Sequence, residues 1–301
     1  MNSILGLLPS ILMMASPILI AALAGMISER SGVVNIALEG LMGFGAFAAA
    51  ATNVILEGII PGLSIWISLA LAAAVGAIVS LIHAFASISL NADQVVSGTG
   101  INLLANGVTV FLCQIIFHHE RTNSFRRGMV AGPLGIYPTA YIALALLAVI
   151  WYILYRRPVG LRLRACGENP QAAASAGIDV RRLRYWAVFA SGALGGLAGG
   201  CLVLTQTIEY KENMINGAGF IALAAVSFGR WIPKGVAGAA CLFGAAVAFS
   251  IYVVNIPSLR ILPPEFFSVL PYVITLVTLV LFSGKDYAPR AAGQPYEKGA
   301  S

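Results

Sequence analysis

Tyr185 to Ile208 reads YWAVFASGALGGLAGGCLVLTQTI and contains no Asp, Glu, Lys or Arg. A helix rises 1.5 Å per residue and about 20 apolar residues span the hydrocarbon of a bilayer, so this run is long enough to cross one. Met1 to Ser28, Gln94 to Phe117 and Gly128 to Tyr155 are uncharged in the same way. Across 301 residues the chain is 59% hydrophobic and 10% charged, against roughly 45–50% and about 25% in soluble domains. Lipid is therefore the main solvent, and the chain is predicted to be an all-α polytopic membrane protein: one domain over residues 1–301 with about nine transmembrane helices.

The expected spans are Leu5 to Met26, Leu38 to Leu56, Leu63 to Ala86, Val95 to Phe117, Tyr137 to Tyr155, Tyr185 to Thr207, Gly217 to Phe228, Val236 to Asn255 and Phe266 to Phe282. Gly217 to Phe228 is short for a full crossing and reads equally as a re-entrant or broken segment. No Lys or Arg precedes the first apolar run, which favours a retained span over a cleaved signal peptide.

Charge sets the orientation. Residues 156 to 184 hold Arg156, Arg157, Arg162, Arg164, Arg181, Arg182 and Arg184 against two acids, Glu168 and Asp179. The positive-inside rule makes this loop cytoplasmic. Counting outward from it, the N-terminus lies outside, and the tail of residues 285–301 and the Arg230 to Lys234 turn lie inside. Only Arg121, Arg126, Arg127, Lys211 and Arg260 then fall outside, leaving 13 of 18 basic residues inside. The net charge of +6 is thus a topology signal and gives no reason to expect a nucleic-acid partner.

Bond chemistry has no support in the residues. Cys113, Cys166, Cys201 and Cys241 lack paired spacing, so no metal or redox site is expected and they read as apolar packing residues. No nucleophile–base set accompanies the three histidines, so no catalytic residue is assigned and the chain is not read as an enzyme. His83, in an apolar helix, reads as a packing or hydrogen-bonded histidine. No GxxxxGK[ST] loop occurs, and the longest connection is too short for a nucleotide-binding domain. No cofactor is expected in this chain.

Within Val159 to Arg184, VGLRLRACGENPQAAASAGIDVRRLR, Asn169 can cap a helix, Pro170 suits its first position and Gly177 can end it in the left-handed region. The two-turn helix between them is marginal alone in water and must rest against something. One reading is a loop that fixes topology and touches membrane lipid. The other is a docking helix in which Ala172, Ala173 and Ala174 allow close approach and flanking arginines bind carboxylates of a cytosolic protein.

SERSGVVNIALEGLMGFGAF at 28–47, ADQVVSGTGINLLANG at 92–107, the loop just described, GAGFIALAAVSFGRWIP at 217–233 and APRAAGQPYEKG at 288–299 together resemble the permeases of ATP-binding-cassette (ABC) importers in the branched-chain amino acid, simple sugar and nucleoside group. The pairing of SERSGVVNIALEG with PYEKG is most similar to nucleoside permeases; riboflavin and simple-sugar permeases remain open. The resemblance implies a multi-pass protein of the cytoplasmic (inner) membrane, a second homologous permease subunit, a cytosolic ABC ATPase that hydrolyses the ATP, and an extracytoplasmic substrate-binding lipoprotein. It also implies that Glu168, Asn169, Pro170, Ala172, Ala173, Ala174 and Gly177 lie in the stretch that couples permease to ATPase.

Polar residues inside the spans mark a path. Asn35 and Glu39, four apart, are expected on one helix face near the cytoplasmic end of the second span. Glu39 needs a cavity, an interface or a partner such as Arg30, because a bare carboxylate in hydrocarbon costs a few kcal/mol. Ser97, Gly98, Thr99, Gly100, Asn102 and Asn106 suggest a broken or loosely wound start to the fourth span. Asn102 and Asn106 would line one side of a route for a neutral polar solute, or else bond helix to helix. Gly192, Gly195, Gly196, Gly199 and Gly200 form a close-packing face, either internal or between permeases. An ion-coupled transporter would call for carboxylates nearer mid-bilayer than Glu39.

Overall fold

The computed structural model describes residues 7–132, 135–254 and 287–297, with single helical positions at 269, 273, 277 and 280. Its helices are α1 (Leu7–Arg30), α2 (Leu38–Leu56), α3 (Ser64–Ala84, continued by a π-helical turn at Phe85–Ser89), α4 (Gln94–Phe117), α5 (Pro138–Arg156), α6 (Pro158–Glu168), α7 (Pro170–Ser175), α8 (Val180–Gln206), α9 (Ala218–Phe228) and α10 (Pro233–Val254). Seven are long and apolar enough to cross a membrane: α1, α2, α3 with its π turn, α4, α5, α8 and α10. The ninth expected span, Phe266 to Phe282, lies outside the described residues except for four helical positions.

Helix α8 runs through the centre, and its glycines explain why. A Cβ on Gly192 or Gly196 would run into α3 at Ser80 or the Ala72 carbonyl, and one on Gly199 into the Met42 carbonyl of α2. Bare backbone on two faces lets α3 and α2 approach closely, replacing lipid contacts with protein packing. The small-residue face is therefore internal. Helix α1, buried from Ala15 to Met26, completes the centre. Helices α4 and α5 lie outside it, with most of their surface exposed.

The loops sort by end as the charge reading expects. Residues Ser31–Gly32, Gly167 and the strap 289–297 meet at one end, where the Ala291 N–H donates to Gly167 O and the Gly293 N–H to Gly32 O. At the other end Glu57 accepts from the Arg126 and Arg127 N–H groups, and Arg121 pairs with Glu209 at 3.2 Å. Arginines at the first end fold over aromatic rings, Arg157 on Tyr152 and Arg164 on Tyr155 at 5.0 and 4.9 Å, as expected at a lipid–water boundary.

Candidate translocation site and docking surface

Two stretches enter the bundle without being helical. Val33 to Asn35 has no regular secondary structure, a turn follows at Ile36 and Ala37, and α2 begins only at Leu38. The second stretch, Ile208 to Gly217, returns from the opposite end and delivers α9, whose 11 residues span about 16 Å. This short helix is half a crossing, the broken alternative for the seventh span. Asn213, Asn216 and Gly217 have φ of 55°, 48° and 80°, a left-handed region that Asn and Gly tolerate best.

The two stretches meet at Glu39. Its Oε1 accepts from the Gly217 N–H and its Oε2 from the Gly219 N–H, both at 2.7 Å. The carboxylate thus closes the N-terminus of α9, where unpaired N–H groups and the helix dipole favour an anion. A Cβ on Gly219 would lie 2.6 Å from the Glu39 backbone N, so only glycine permits this approach. Sequence reasoning named Arg30 as a possible partner, but Arg30 instead faces Glu168 at 3.7 Å and donates to the Trp231 carbonyl at 3.0 Å. Asn35 shares no helix face with Glu39, because it precedes α2 in non-helical backbone.

Glu39, Asn102 and Asn106 line one cavity of about 290 Å³ with Gly43, Tyr210, Asn213 and Phe220. Asn102 sits about 12 Å along α4 from Gln94. Both ends of its amide are engaged: Oδ1 accepts from the Gly40 N–H at 2.8 Å and Nδ2 donates to the Ile36 carbonyl at 3.0 Å. It clamps the turn into α2. Asn106 and Asn213 make no side-chain hydrogen bond among the described residues and face the cavity free. Tyr210 closes one wall, its hydroxyl donating to Thr109 Oγ1 at 2.8 Å. A second cavity, about 260 Å³, lies on the other side of Met214–Asn216, among α1, α8, α9 and α10.

The other candidates lie apart from the cavity. Asn35 donates to Ser191 Oγ at 2.8 Å. Ser97 bonds His83 Nδ1 at 3.0 Å, while His83 Nε2 bonds the Val34 carbonyl at 3.0 Å. These groups tie the non-helical stretch before α2 to α3, α4 and α8. Thr99 is exposed and bonds its own helix at Val95 and Val96. Contrary to expectation, the start of α4 is regular, capped by Asp93 on the Val95 and Val96 N–H groups. The irregularity belongs to the segments before α2 and α9. The sequence reading missed Tyr210, Asn213 and the Gly217/Gly219 pair; the GAG run after Asn216 was the available signal.

At the strap end, Asn169 caps α7 by accepting from the Ala172 N–H at 3.0 Å, and Gly177 follows at φ 81°. Ala172, Ser175 and Ala176 are exposed, as are Glu168 and Asn169. Ala173 is not: it is 4% exposed and packs with Cys166, Val180 and Tyr296. Period alone could not say which alanine faces inward. Cys113, Cys166 and Cys201 are buried free thiols and Cys241 is exposed.

A profile of the family described as branched-chain amino acid transport system / permease component matches residues 7–279. The chain is 42% identical over 308 residues to the guanosine ABC transporter permease protein NupQ of Bacillus subtilis, covering 97% of each chain. It is 35% identical over 311 residues to the nucleoside ABC transporter permease protein NupC of Lactococcus lactis, covering 99% of this chain and 98% of that one. A putative glucose ABC transporter permease protein of Haloferax volcanii is 30% identical, covering 91% and 90%. With a helical bundle broken at two points around a polar cavity, the chain belongs to the branched-chain amino acid transport system permease family.

Proposed function

We propose that this chain is the membrane-spanning permease subunit of an ATP-driven ABC importer that carries nucleoside-like solutes across the cytoplasmic membrane. The observation that carries this reading is the near full-length similarity to permeases described as guanosine and nucleoside transporters. The cavity fits it. Free amides at Asn106 and Asn213 can donate and accept hydrogen bonds to a neutral heterocycle without demanding a counter-ion, and the one carboxylate present, Glu39, is occupied by backbone N–H groups.

The cavity is half of a path. On α4 the exposed positions Thr99, Leu103, Asn106 and Gln114 follow one stripe, and a Cβ on Gly100 or Gly107 would meet nothing within 4 Å. Amides and a hydroxyl facing acyl chains are costly. A second, homologous permease subunit covers this stripe and supplies the opposing wall. The Arg-rich end is cytoplasmic, where the exposed Ala172, Ser175 and Ala176 of the α7 unit meet the ABC ATPase. The opposite end receives solute from an extracytoplasmic lipoprotein.

The test is uptake of labelled guanosine by cells carrying or lacking this chain, with unlabelled competitors. Competition by purine and pyrimidine nucleosides is expected. Competition by glucose, riboflavin or branched-chain amino acids in their place would overturn the substrate class.

A further inference from the structure

Arg184, near the start of α8, is 1% exposed and has no carboxylate within ion-pair distance among the described residues. Its Nε donates to the Ser31 carbonyl at 3.2 Å and its Nη1 to the Gln294 carbonyl at 3.1 Å. Its guanidinium lies 6.0 Å from the Tyr296 ring centre. Nη2 has no hydrogen-bond partner and lies against Gly32, whose φ of 96° brings bare backbone onto the guanidinium. A buried cation held by neutral carbonyls of two separate segments and the face of one ring, with no opposite charge among the described residues, is a poor choice for static stability, since removing charges from water is costly without one. It holds two segments together without locking either into an ion pair.

Those segments lead to the two ends of the transport cycle. Ser31–Gly32 continues through Asn35 into the turn clamped by Asn102 and then to Glu39 and the α9 terminus. The strap touches the docking unit at three points: the Ala291 N–H donates to the Gly167 carbonyl at 2.9 Å, the Gln171 amide donates to the Glu297 carbonyl at 3.5 Å, and Tyr296 packs with Cys166 and Ala173. It touches the turn through the Gly293 N–H, 3.2 Å from the Gly32 carbonyl. The strap is thus in contact with both α6–α7 and the turn that feeds the cavity. Glu168 to Arg30 provides a parallel and looser link at 3.7 Å, with Glu168 half exposed.

We propose that Arg184 and the strap 289–297 form a coupling joint that transmits movement of the ATPase-docking helices to the Ser31–Glu39 segment and hence to the solute cavity. This rests on the docking reading of α7. Arg184 and Tyr296 are positioning residues; neither faces the solute.

The test uses the complete complex in proteoliposomes, with the ATPase and solute-loaded receptor, comparing wild type with Gly293→Pro and Tyr296→Leu. Proline removes the N–H given to Gly32 and cannot adopt φ 78°. Leucine keeps an apolar side chain beside Cys166 and Ala173 but removes the ring under Arg184. Both variants should retain ATPase co-purification and basal hydrolysis while solute moved per ATP falls about fivefold, the lower end of ordinary coupling between sites. An unchanged solute-to-ATP ratio at matched abundance would overturn the joint. Loss of ATPase association would also overturn it, making the strap a docking surface. Failure of the docking reading shows separately, as intact association and stimulation in an Ala172→Asp complex.

Discussion

Asn102→Leu and Asn106→Leu should separate scaffold from path, although both remove an amide from the same helix and cavity. Asn102 bonds two backbone groups, the Gly40 N–H at 2.8 Å and the Ile36 carbonyl at 3.0 Å. Leucine leaves both without a partner inside the bundle. An orphaned buried polar group costs about 1–3 kcal/mol, so the pair costs roughly 2–6 kcal/mol, a large share of a typical stability of about 5–15 kcal/mol. The Asn106 amide has no such bond to lose, and an exposed substitution of this kind shifts stability by about 0.5 kcal/mol or less. If it bonds solute in passage, its loss removes about 0.5–1.5 kcal/mol, or roughly two- to tenfold in transport. Permease abundance and detergent thermal unfolding would be measured beside uptake per folded complex. Asn102→Leu should lose folded protein and uptake together; Asn106→Leu should keep the fold and lose uptake per complex. An Asn102→Leu permease that accumulates and melts like wild type would refute the clamp, and an Asn106→Leu permease with undiminished uptake would refute the path assignment.

Three further outcomes follow from the same geometry. Glu39→Gln retains one acceptor but turns an NH2 group toward a backbone N–H, removing a charge-assisted bond worth about 1.5–3 kcal/mol; thermal stability and uptake should both fall, and Glu39→Ala should fall further. Ala172→Asp places a carboxylate on the exposed face of α7 and should abolish ATPase co-purification at normal permease abundance, whereas Ala173→Asp buries it beside Cys166 and Val180 and should cost about 3 kcal/mol or more in stability. A cysteine introduced at exposed Ala176 should resist membrane-impermeant thiol reagents added to intact cells; ready labelling from outside would invert the topology.

The membrane-spanning helices were legible in the sequence because lipid imposes a simple rule. An uncharged run above about 20 residues has few alternatives to a crossing. Arginine asymmetry sorted the loops correctly by end, and the Asn169–Pro170–Gly177 pattern located α7 because capping is local chemistry. What stayed hidden depends on contacts between distant segments. The Glu39 carboxylate finds its partner at Gly217, 178 residues away, and periodicity carries no information about such a pairing. The same holds for Asn102, whose amide looked available to solute until its backbone partners were visible, and for Ala173, the one of three adjacent alanines that packs inward against Cys166, Val180 and Tyr296. The polar density at the start of α4 suggested broken backbone there; Gln94 and Asn102, and Ser97 through His83, instead brace the non-helical stretch at Ser31–Ala37.

The most direct test of the transporter assignment is accumulation of labelled guanosine in proteoliposomes containing this chain, its homologous partner permease and the ABC ATPase, with receptor supplied outside. Accumulation should require both ATP and receptor and persist when proton and sodium gradients are collapsed. Uptake that proceeds without ATP and stops when an ion gradient is collapsed would contradict the account.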